Sequence, residues 1–130
     1  MKKCTLILLL GFFLFLGGCA GDNKKTRNFG STMRAYEQVI RWGDLEKAND
    51  FLKEPDEFSA ERYKKLKKIQ VNGYRLLSRT KTKEGVDQVV EIKYTKDASV
   101  VVRTITDAQK WIYDKEEERW YLNSKIPEFK

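Results

Sequence analysis

The sequence predicts an α+β domain in which N-terminal helices pack on a curved, four-stranded antiparallel sheet. Between residues 29 and 69 apolar side chains recur every three or four positions, which is the period of amphipathic helices. From residue 74 onward the chain is rich in Val, Ile, Thr, Tyr and Trp, interrupted by short charged turns, as strands are. Connections this short join neighbouring antiparallel strands, so we expect a meander with the helices on one face.

The first eighteen residues are predicted to be a signal peptide. Lys2 and Lys3 form a positive n-region, and an apolar run from Thr5 to Leu16 follows. This run is too short to cross a bilayer, which takes about 20 apolar residues. It matches the h-region of a secretory signal, which has roughly 7–15 residues.

The segment Leu16-Gly17-Gly18-Cys19 resembles the lipobox of bacterial lipoproteins, in which an aliphatic residue and two small residues precede Cys. The resemblance implies that the Cys19 thiol receives a diacylglyceryl group, that the chain is cut before it, and that the new amino group is acylated. Ordinary signal cleavage after Ala20 is the alternative, since small residues also stand at the spacing which that cleavage requires.

Lipidation at Cys19 divides the chain into three parts. Residues 1–18 are removed, residues 19–28 form a flexible lipidated tether, and residues 29–130 form a single α+β domain. In diderm lipoproteins an Asp directly after the lipidated Cys retains the protein in the inner membrane, but here Ala20 follows. The resemblance therefore implies anchoring in the outer membrane, facing the periplasm, or in the cell membrane of a host with a single membrane.

The charge balance is modestly basic, with 26 Lys and Arg against 19 Asp and Glu. Without Lys2 and Lys3 the excess is about +5. Behind a signal peptide we expect no nucleic-acid partner. Anionic lipid head groups or cell-wall polymers fit such a charge, but charges of both signs are interspersed, which favours plain solubility.

The inventory of reactive side chains is poor. The chain has no His, and after removal of Cys4 with the signal peptide its second Cys carries the lipid. This composition excludes a Ser-His-Asp triad, a Cys-His pair and a typical zinc site. No Gly-rich phosphate loop or calcium loop is present. We therefore expect neither catalysis nor a cofactor or metal.

Three helices are predicted before the sheet. The first ends at Gly43, a residue that tolerates left-handed geometry, and its N-cap is expected at Asn28 or Ser31. A second short helix stops before Pro55. The apolar positions that define the first helix are Phe29, Met33, Tyr36 and Ile40.

The third predicted helix is capped by Ser59 and ends near Ile69. It carries a basic cluster that faces either lipid head groups and acidic polymer or simply solvent, and the second interpretation is favoured. The cluster consists of Arg62, Lys64, Lys65, Lys67 and Lys68.

The four predicted strands differ in length and pattern. Alternation is clear from Val90 to Tyr94, so that strand should have one wet face. The third strand is unusually long for a small domain, and we expect it to be bent or bulged. The predicted strands are Tyr74 to Thr82, Val86 to Lys96, Ser99 to Asp114 and Arg119 to Ser124.

Two segments resemble the cystatin-like and nuclear-transport-factor-2-like cone folds. "YEQVIRWGDLEKANDFL" is similar to the opening of many small bacterial members, and "AQKWIYDKEEERWYLNSKIPEF" resembles their last hairpin. The resemblance covers roughly residues 29–129. Members include isomerases, dehydratases, transport factors, secretion-system subunits and lipoproteins, so the resemblance implies a fold more than a function.

One face of the third strand carries the only candidate pocket. Polar side chains lie there among apolar ones, which include Val101 and Ile105. They would recognise a ligand, or use Asp107 for acid–base chemistry with Arg103 holding an anion. The favoured alternative is a wet face with an Arg103–Asp107 surface pair. The candidate pocket residues are Arg103, Asp107, Gln109, Trp111 and Tyr113.

The aromatic side chains of the sheet have two interpretations. They stack on a sugar or an apolar ligand, or they fill the core, and the core is favoured. These residues are Tyr94, Trp111, Tyr113, Trp120 and Tyr121.

The functional expectation is a lipid-anchored envelope protein that binds or scaffolds another envelope protein and is not an enzyme. A small-molecule binding pocket is the first alternative. A small isomerase-like or dehydratase-like enzyme is the second, and it would need a buried carboxylate of raised pKa beside a Tyr.

Overall fold

The computed structural model describes residues 20–130, so the predicted signal peptide and Cys19 lie outside the described residues. Helices come first, and a four-stranded antiparallel sheet of order β1-β2-β3-β4 follows, which confirms the predicted α+β class and its meander. The elements are α1 (Ala20–Arg41), a 3₁₀ helix (Lys47–Phe51), α2 (Ala60–Leu66), β1 (Ile69–Lys81), β2 (Gly85–Lys96), β3 (Arg103–Asp114) and β4 (Arg119–Leu122).

Helix α1 begins earlier than the sequence suggests. Residues 20–28 form its first turns, so the predicted flexible tether is wrong for this segment, and neither Asn28 nor Ser31 starts the helix. The reason is tertiary contact. The Trp120 indole N–H donates to the Lys25 carbonyl at 3.0 Å, and the Phe29 ring packs against the Trp120 ring at 4.8 Å. Such packing stabilises helical turns that local sequence signals do not mark.

The connections between the helices follow the predicted signals. Gly43 takes a left-handed φ of 72° after α1, as its position predicted. The second helix is a short 3₁₀ segment. The Ser59 side chain caps α2 by accepting from the Arg62 backbone N–H at 3.1 Å, which confirms that N-cap.

Strand β1 departs from the prediction at its start and in its regularity. It begins at Ile69, opposite Lys96 of β2, rather than at Tyr74. Its register with β2 shifts twice, between Val71 and Gly73 and between Leu76 and Ser78. Residues 69–72 alternate apolar and polar as a half-buried strand does, and the strand pairing with β2 begins with them.

The predicted bulge in the third strand is wrong. Strand β3 pairs with β2 in unbroken register from Arg103 to Ile112, and the bulges lie in β1 instead. Strand β3 also begins at Arg103 rather than Ser99, since its ladder with β2 ends at Tyr94. The valines before Arg103 are left outside the sheet.

The hydrophobic core lies between α1 and one face of the sheet. The Tyr36 ring packs edge-to-face on Trp111 at 5.2 Å. On the other face Lys93 is exposed and Arg75 pairs with Glu91 at 3.1 Å, so the predicted wet face is confirmed. Tyr113 is half-buried, and the remaining sheet aromatics are buried, as the core interpretation predicted: Tyr94, Trp111, Trp120 and Tyr121.

The basic cluster of the third helix faces solvent for the most part. Its four lysines are exposed, and Arg62 is half-buried and pairs with Asp56 at 2.9 Å. Lys65 forms a surface ion pair with Glu61 at 3.2 Å. Such exposed pairs contribute little stability.

A substitution at Gly85 tests the packing of β2 on β3. A Cβ atom at Gly85 would lie 1.8 Å from the Trp111 carbonyl oxygen. Because backbone would have to move, we expect Gly85→Ala to lower the free energy of unfolding by about 3 kcal/mol in urea denaturation. In the control Gly73→Ala, the new Cβ would be 3.5 Å from Lys93, and stability should change by less than about 0.5 kcal/mol. Equal effects would contradict this packing.

Candidate functional site

A buried amide, that of Gln109, holds together a polar cluster on the inner face of the sheet. Its Oε1 accepts from Gln88 Nε2 at 2.7 Å and from Trp111 Nε1 at 3.0 Å. Its Nε2 donates to Asp107 Oδ2 at 2.7 Å and to the Tyr74 hydroxyl at 3.1 Å. A Gln side chain offers two acceptor and two donor positions, so Gln109 uses all four.

The strand register brings these side chains together. Gln88 and Gln109 are directly opposite partners in the β2–β3 ladder, and Asp107 lies two residues before Gln109 on the same face of β3. Gln88 extends the cluster, since its Oε1 accepts from Arg79 Nε at 3.0 Å and its Nε2 lies 3.4 Å from Met33 Sδ. The cluster therefore links β1, β2, β3 and α1.

Asp107 is buried, with 7% of its surface exposed. Burial raises the pKa of this carboxyl group above its ordinary value, and the hydrogen bond from Gln109 opposes the shift. The favoured interpretation of a solvent-exposed Arg103–Asp107 pair is therefore wrong. The exposed Arg103 guanidinium donates to the Lys130 carbonyl at 3.4 Å, about 13 Å along the strand from Asp107.

Two tyrosines lie close enough to Asp107 to sense its charge. Burial raises the pKa of Tyr36 well above its ordinary value, and the charges of Asp107 and Tyr74 raise it further. Burial also raises the pKa of Tyr74 to about 12. Among the described residues the buried Tyr36 hydroxyl has no hydrogen-bond partner, a situation that costs about 1–3 kcal/mol. Both phenols therefore stay protonated at neutral pH.

The five predicted pocket residues do not form one pocket. Asp107, Gln109 and Trp111 meet in the polar cluster. Arg103 lies at one end of β3 beside the chain terminus. Tyr113 lies near the other end, where its ring packs on Trp120 at 5.3 Å.

Asp107 also borders an open cleft between β3 and the segment after β4. The cleft is lined on one side by Ile105 and on the other by Ile126, and its other charged residues are Lys125, Glu128 and Lys130. The Asp107 carboxylate is also bound inside the polar cluster, where it accepts from Gln109 Nε2. The arrangement can hold or exchange a proton at Asp107, and the lysines can attract an anion.

Three members of the cluster were not predicted from the sequence: Gln88, Tyr74 and Arg79. Gln88 alternates with the apolar Val86 and Val90, so the strand pattern could have placed it on the inner face. Tyr74 stands between two register shifts, and no pattern in the chain gives its phase. Tyr36 was predicted on the buried face of the first helix, which is correct. That its hydroxyl has no hydrogen-bond partner among the described residues follows from the tertiary packing, which the sequence does not show.

Comparisons of the chain with protein-family models, curated proteins and solved structures find no match. Among residues 20–130, no group of three or more acidic or Cys side chains is placed to hold a metal ion. Within the same part of the chain, no helix is both long and apolar enough to span a membrane.

Replacing Gln109 tests its role in the cluster. Gln109→Leu would leave the polar side-chain atoms of Asp107, Trp111 and Tyr74 without the partner that Gln109 provides, and Gln88 would keep only Arg79 and Met33. We expect the free energy of unfolding to fall by about 3 kcal/mol, measured by urea denaturation. The matched control is Gln70→Leu at an exposed position of β1, where the change should stay within about 0.5 kcal/mol.

Asp107 should give the protein an unusual pH dependence. Its folded pKa lies above the ordinary 3.8, so the folded state binds this proton more tightly than the unfolded state. Its stabilising contribution is present below pH 3.8 and is lost as the pH rises through the folded pKa. Asp107→Asn removes the buried charge, so its stability relative to the native protein should increase from acidic to neutral pH.

Asp114 is the matched control, because its pKa is lowered by the Glu117 backbone N–H and by Lys53. Its contribution is present at neutral pH and is lost as the pH falls through the folded pKa. Asp114→Asn should therefore lose stability relative to the native protein at neutral pH. Unfolding curves recorded between pH 3 and pH 7 that shift in the same direction for both variants would refute these assignments.

Proposed function

We propose that the chain is a lipid-anchored bacterial envelope protein that acts by binding another envelope component rather than by catalysis. The lipobox-like Leu16-Gly17-Gly18-Cys19 supports the anchor. Residue 20, the first that the structure describes, is already helical and directly follows Cys19 in the sequence, so a lipid on Cys19 would be joined to the domain without a long spacer. We place the protein in the outer membrane, facing the periplasm, or in the cell membrane of a host with a single membrane.

The proposal extends to the fold. A long helix laid across a four-stranded antiparallel meander supports a cystatin-like or nuclear-transport-factor-2-like cone. Folds of this kind carry many unrelated activities, so the proposed binding role depends on the surface of this chain.

The observation that carries the binding role is the loop between β2 and β3. Its three consecutive valines are exposed, Val100 by 95%, Val101 by 61% and Val102 by 54%. The loop leaves β2 through two residues with positive φ, Asp97 and Ala98. Fully burying one such side chain contributes about 1.5–3 kcal/mol, so this loop is a favourable contact for a protein surface.

The loop lies at the end of the domain opposite the proposed anchor. Strand β1 begins there with Ile69 opposite Lys96, and Gly43, after the end of α1, lies close to the Ile69 carbonyl. Helix α1 has 22 residues, so its two ends are about 33 Å apart. The loop is therefore presented away from the first turn of α1. A partner on the same membrane needs only a modest contact, because co-anchoring raises its effective concentration.

The polar cluster supports a second candidate function. The chain would then be a small-molecule binder, or a small isomerase-like or dehydratase-like enzyme. Asp107 is buried, has a raised pKa and lies near two tyrosines, which is the arrangement that acid–base catalysis uses. The cleft beside Asp107 is open, and its inner side meets packed core residues. Binding through the loop is therefore the preferred proposal.

Crosslinking in native membranes tests the binding role. We expect a discrete partner to crosslink to the full-length protein. Substituting Val100, Val101 and Val102 together by Ser should reduce the crosslinked product at least tenfold, because the apolar contact is removed. Quantitative mass spectrometry of the purified crosslinks provides the readout.

Two controls separate the anchor from the loop. Cys19→Ser should leave the membrane fraction and lose the partner. Leu76→Ser with Leu77→Ser alters apolar residues on β1 that are 44% and 47% exposed, and it should keep the partner. If the valine and leucine variants crosslink equally well, the loop is not the binding surface.

A further inference from the structure

The outward face of α1 carries a row of arginines at seven-residue intervals. Arg27, Arg34 and Arg41 are all exposed, and seven residues make almost two helical turns, so the three lie in one line. The opposite face of the helix, with Tyr36 and Ile40, is buried against the core. Arg27 and Arg34 therefore point away from the sheet, whereas Arg41, at the end of the row, also donates to the Tyr74 carbonyl of β1 at 3.4 Å. The row spans about 21 Å.

Little negative charge compensates this row. The only carboxylate of α1 between residues 24 and 41 is Glu37, which is half-buried and pairs with Arg41 at 2.8 Å. Arg27 and Arg34 form no ion pair with any residue that the structure describes. The other exposed side chains of this stretch are neutral or basic: Lys24, Thr26, Ser31, Ala35 and Gln38.

An exposed tryptophan stands at the end of the row. Trp42 is 84% exposed, and its backbone N–H donates to the Gln38 carbonyl at 2.9 Å, which continues the helical hydrogen bonding by one residue. Tryptophan prefers the membrane–water interface, where its ring lies at the level of the head groups. Arginine prefers the phosphates of those head groups.

We infer that α1 lies along an anionic lipid surface, with its arginine row on the phosphates and Trp42 in the interfacial layer. The inference rests on the proposed lipid anchor, because Cys19 directly precedes α1 and would hold its first turn at the same bilayer. A lipid chain and a basic patch together give durable attachment. Each arginine near an anionic surface strengthens the contact about fivefold.

The composition of this face favours a bilayer over a protein partner. Among the exposed residues from 24 to 42, the one large apolar side chain is that of Trp42, at the very end of the row. Between the arginines lie Ser31, Ala35 and Gln38, which offer no apolar or aromatic anchor. Protein interfaces are centred on such buried anchors. A straight row of long, flexible cations matches a flat, fluid layer of phosphates, which can rearrange around each of them.

Fluorescence quenching on vesicles tests this orientation. The chain has three tryptophans, and Trp111 and Trp120 are buried, so a lipid-borne quencher reports Trp42. The full-length protein, purified from bacterial membranes, is reconstituted into vesicles of brominated phosphatidylcholine with or without 30% phosphatidylglycerol. We expect strong quenching with the anionic lipid, weak quenching without it, and loss of quenching in high salt.

Two matched double variants identify the row as the cause. R27Q/R34Q should shift the docking equilibrium about 25-fold towards the undocked state, and most of the quenching should disappear. K93Q/K110Q removes the same charge from exposed positions on the outer face of the sheet, and it should be quenched like the native protein. Quenching that persists in R27Q/R34Q, or that falls equally in both variants, overturns the inference.

A parallel mass measurement separates this inference from the anchor. A chain without lipid on Cys19 overturns both the anchor and the docking of α1. A lipidated protein whose Trp42 remains open to aqueous acrylamide on anionic vesicles overturns the docking alone. Shielding of Trp42 that requires an added protein partner overturns it as well, because α1 then faces a protein.

Discussion

The cover that α1 forms over the inner face of the sheet is the constraint on which the other features depend. The outer face of the sheet is wet and the inner face is apolar, so a second layer must bury it. Helix α1 supplies that layer from one end of the sheet to the other. Near its start the Lys25 carbonyl accepts from Trp120, and at its end Arg41 donates to the Tyr74 carbonyl at 3.4 Å.

Both ends of α1 are held against the sheet, so one face of the helix is turned inward and the other outward. The inner face closes the polar cluster around Gln109, where burial keeps Asp107 and the tyrosines from ionising easily. The outer face leaves Arg27 and Arg34 of the arginine row in solvent. The proposed anchor at Cys19 would then set the orientation of the whole domain, since residue 20, the next in the sequence, already belongs to the helix.

Local signals were sufficient for much of the fold. Periodicity predicted the helical and strand regions, and Gly43 and Ser59 act at the helix ends where their chemistry predicted. Long-range contacts decided the rest. The first turns of α1 depend on Trp120, some 95 residues away. The start of β1 depends on pairing with β2, and valines with high strand propensity are left unpaired where the ladder ends.

The candidate site was predictable only in part, because local patterns place some of its residues and long-range pairing places the others. Alternation along β3 correctly grouped Asp107, Gln109 and Trp111, but it could not show whether that face was wet or buried. Gln88 joins them through the register of two strands, and Tyr74 through two bulges in β1. These relations exist only in the folded sheet.

Hydrogen exchange of the backbone amides at residues 24–28 tests the central role of α1 most directly. With α1 starting at Ala20, these N–H groups lie past the first four of the helix and have intrahelical acceptors. We expect them to exchange at least tenfold more slowly than the same residues in an unfolded peptide. Exchange at the unfolded rate would mean that this segment is a flexible tether, and it would contradict the fixed orientation of the domain.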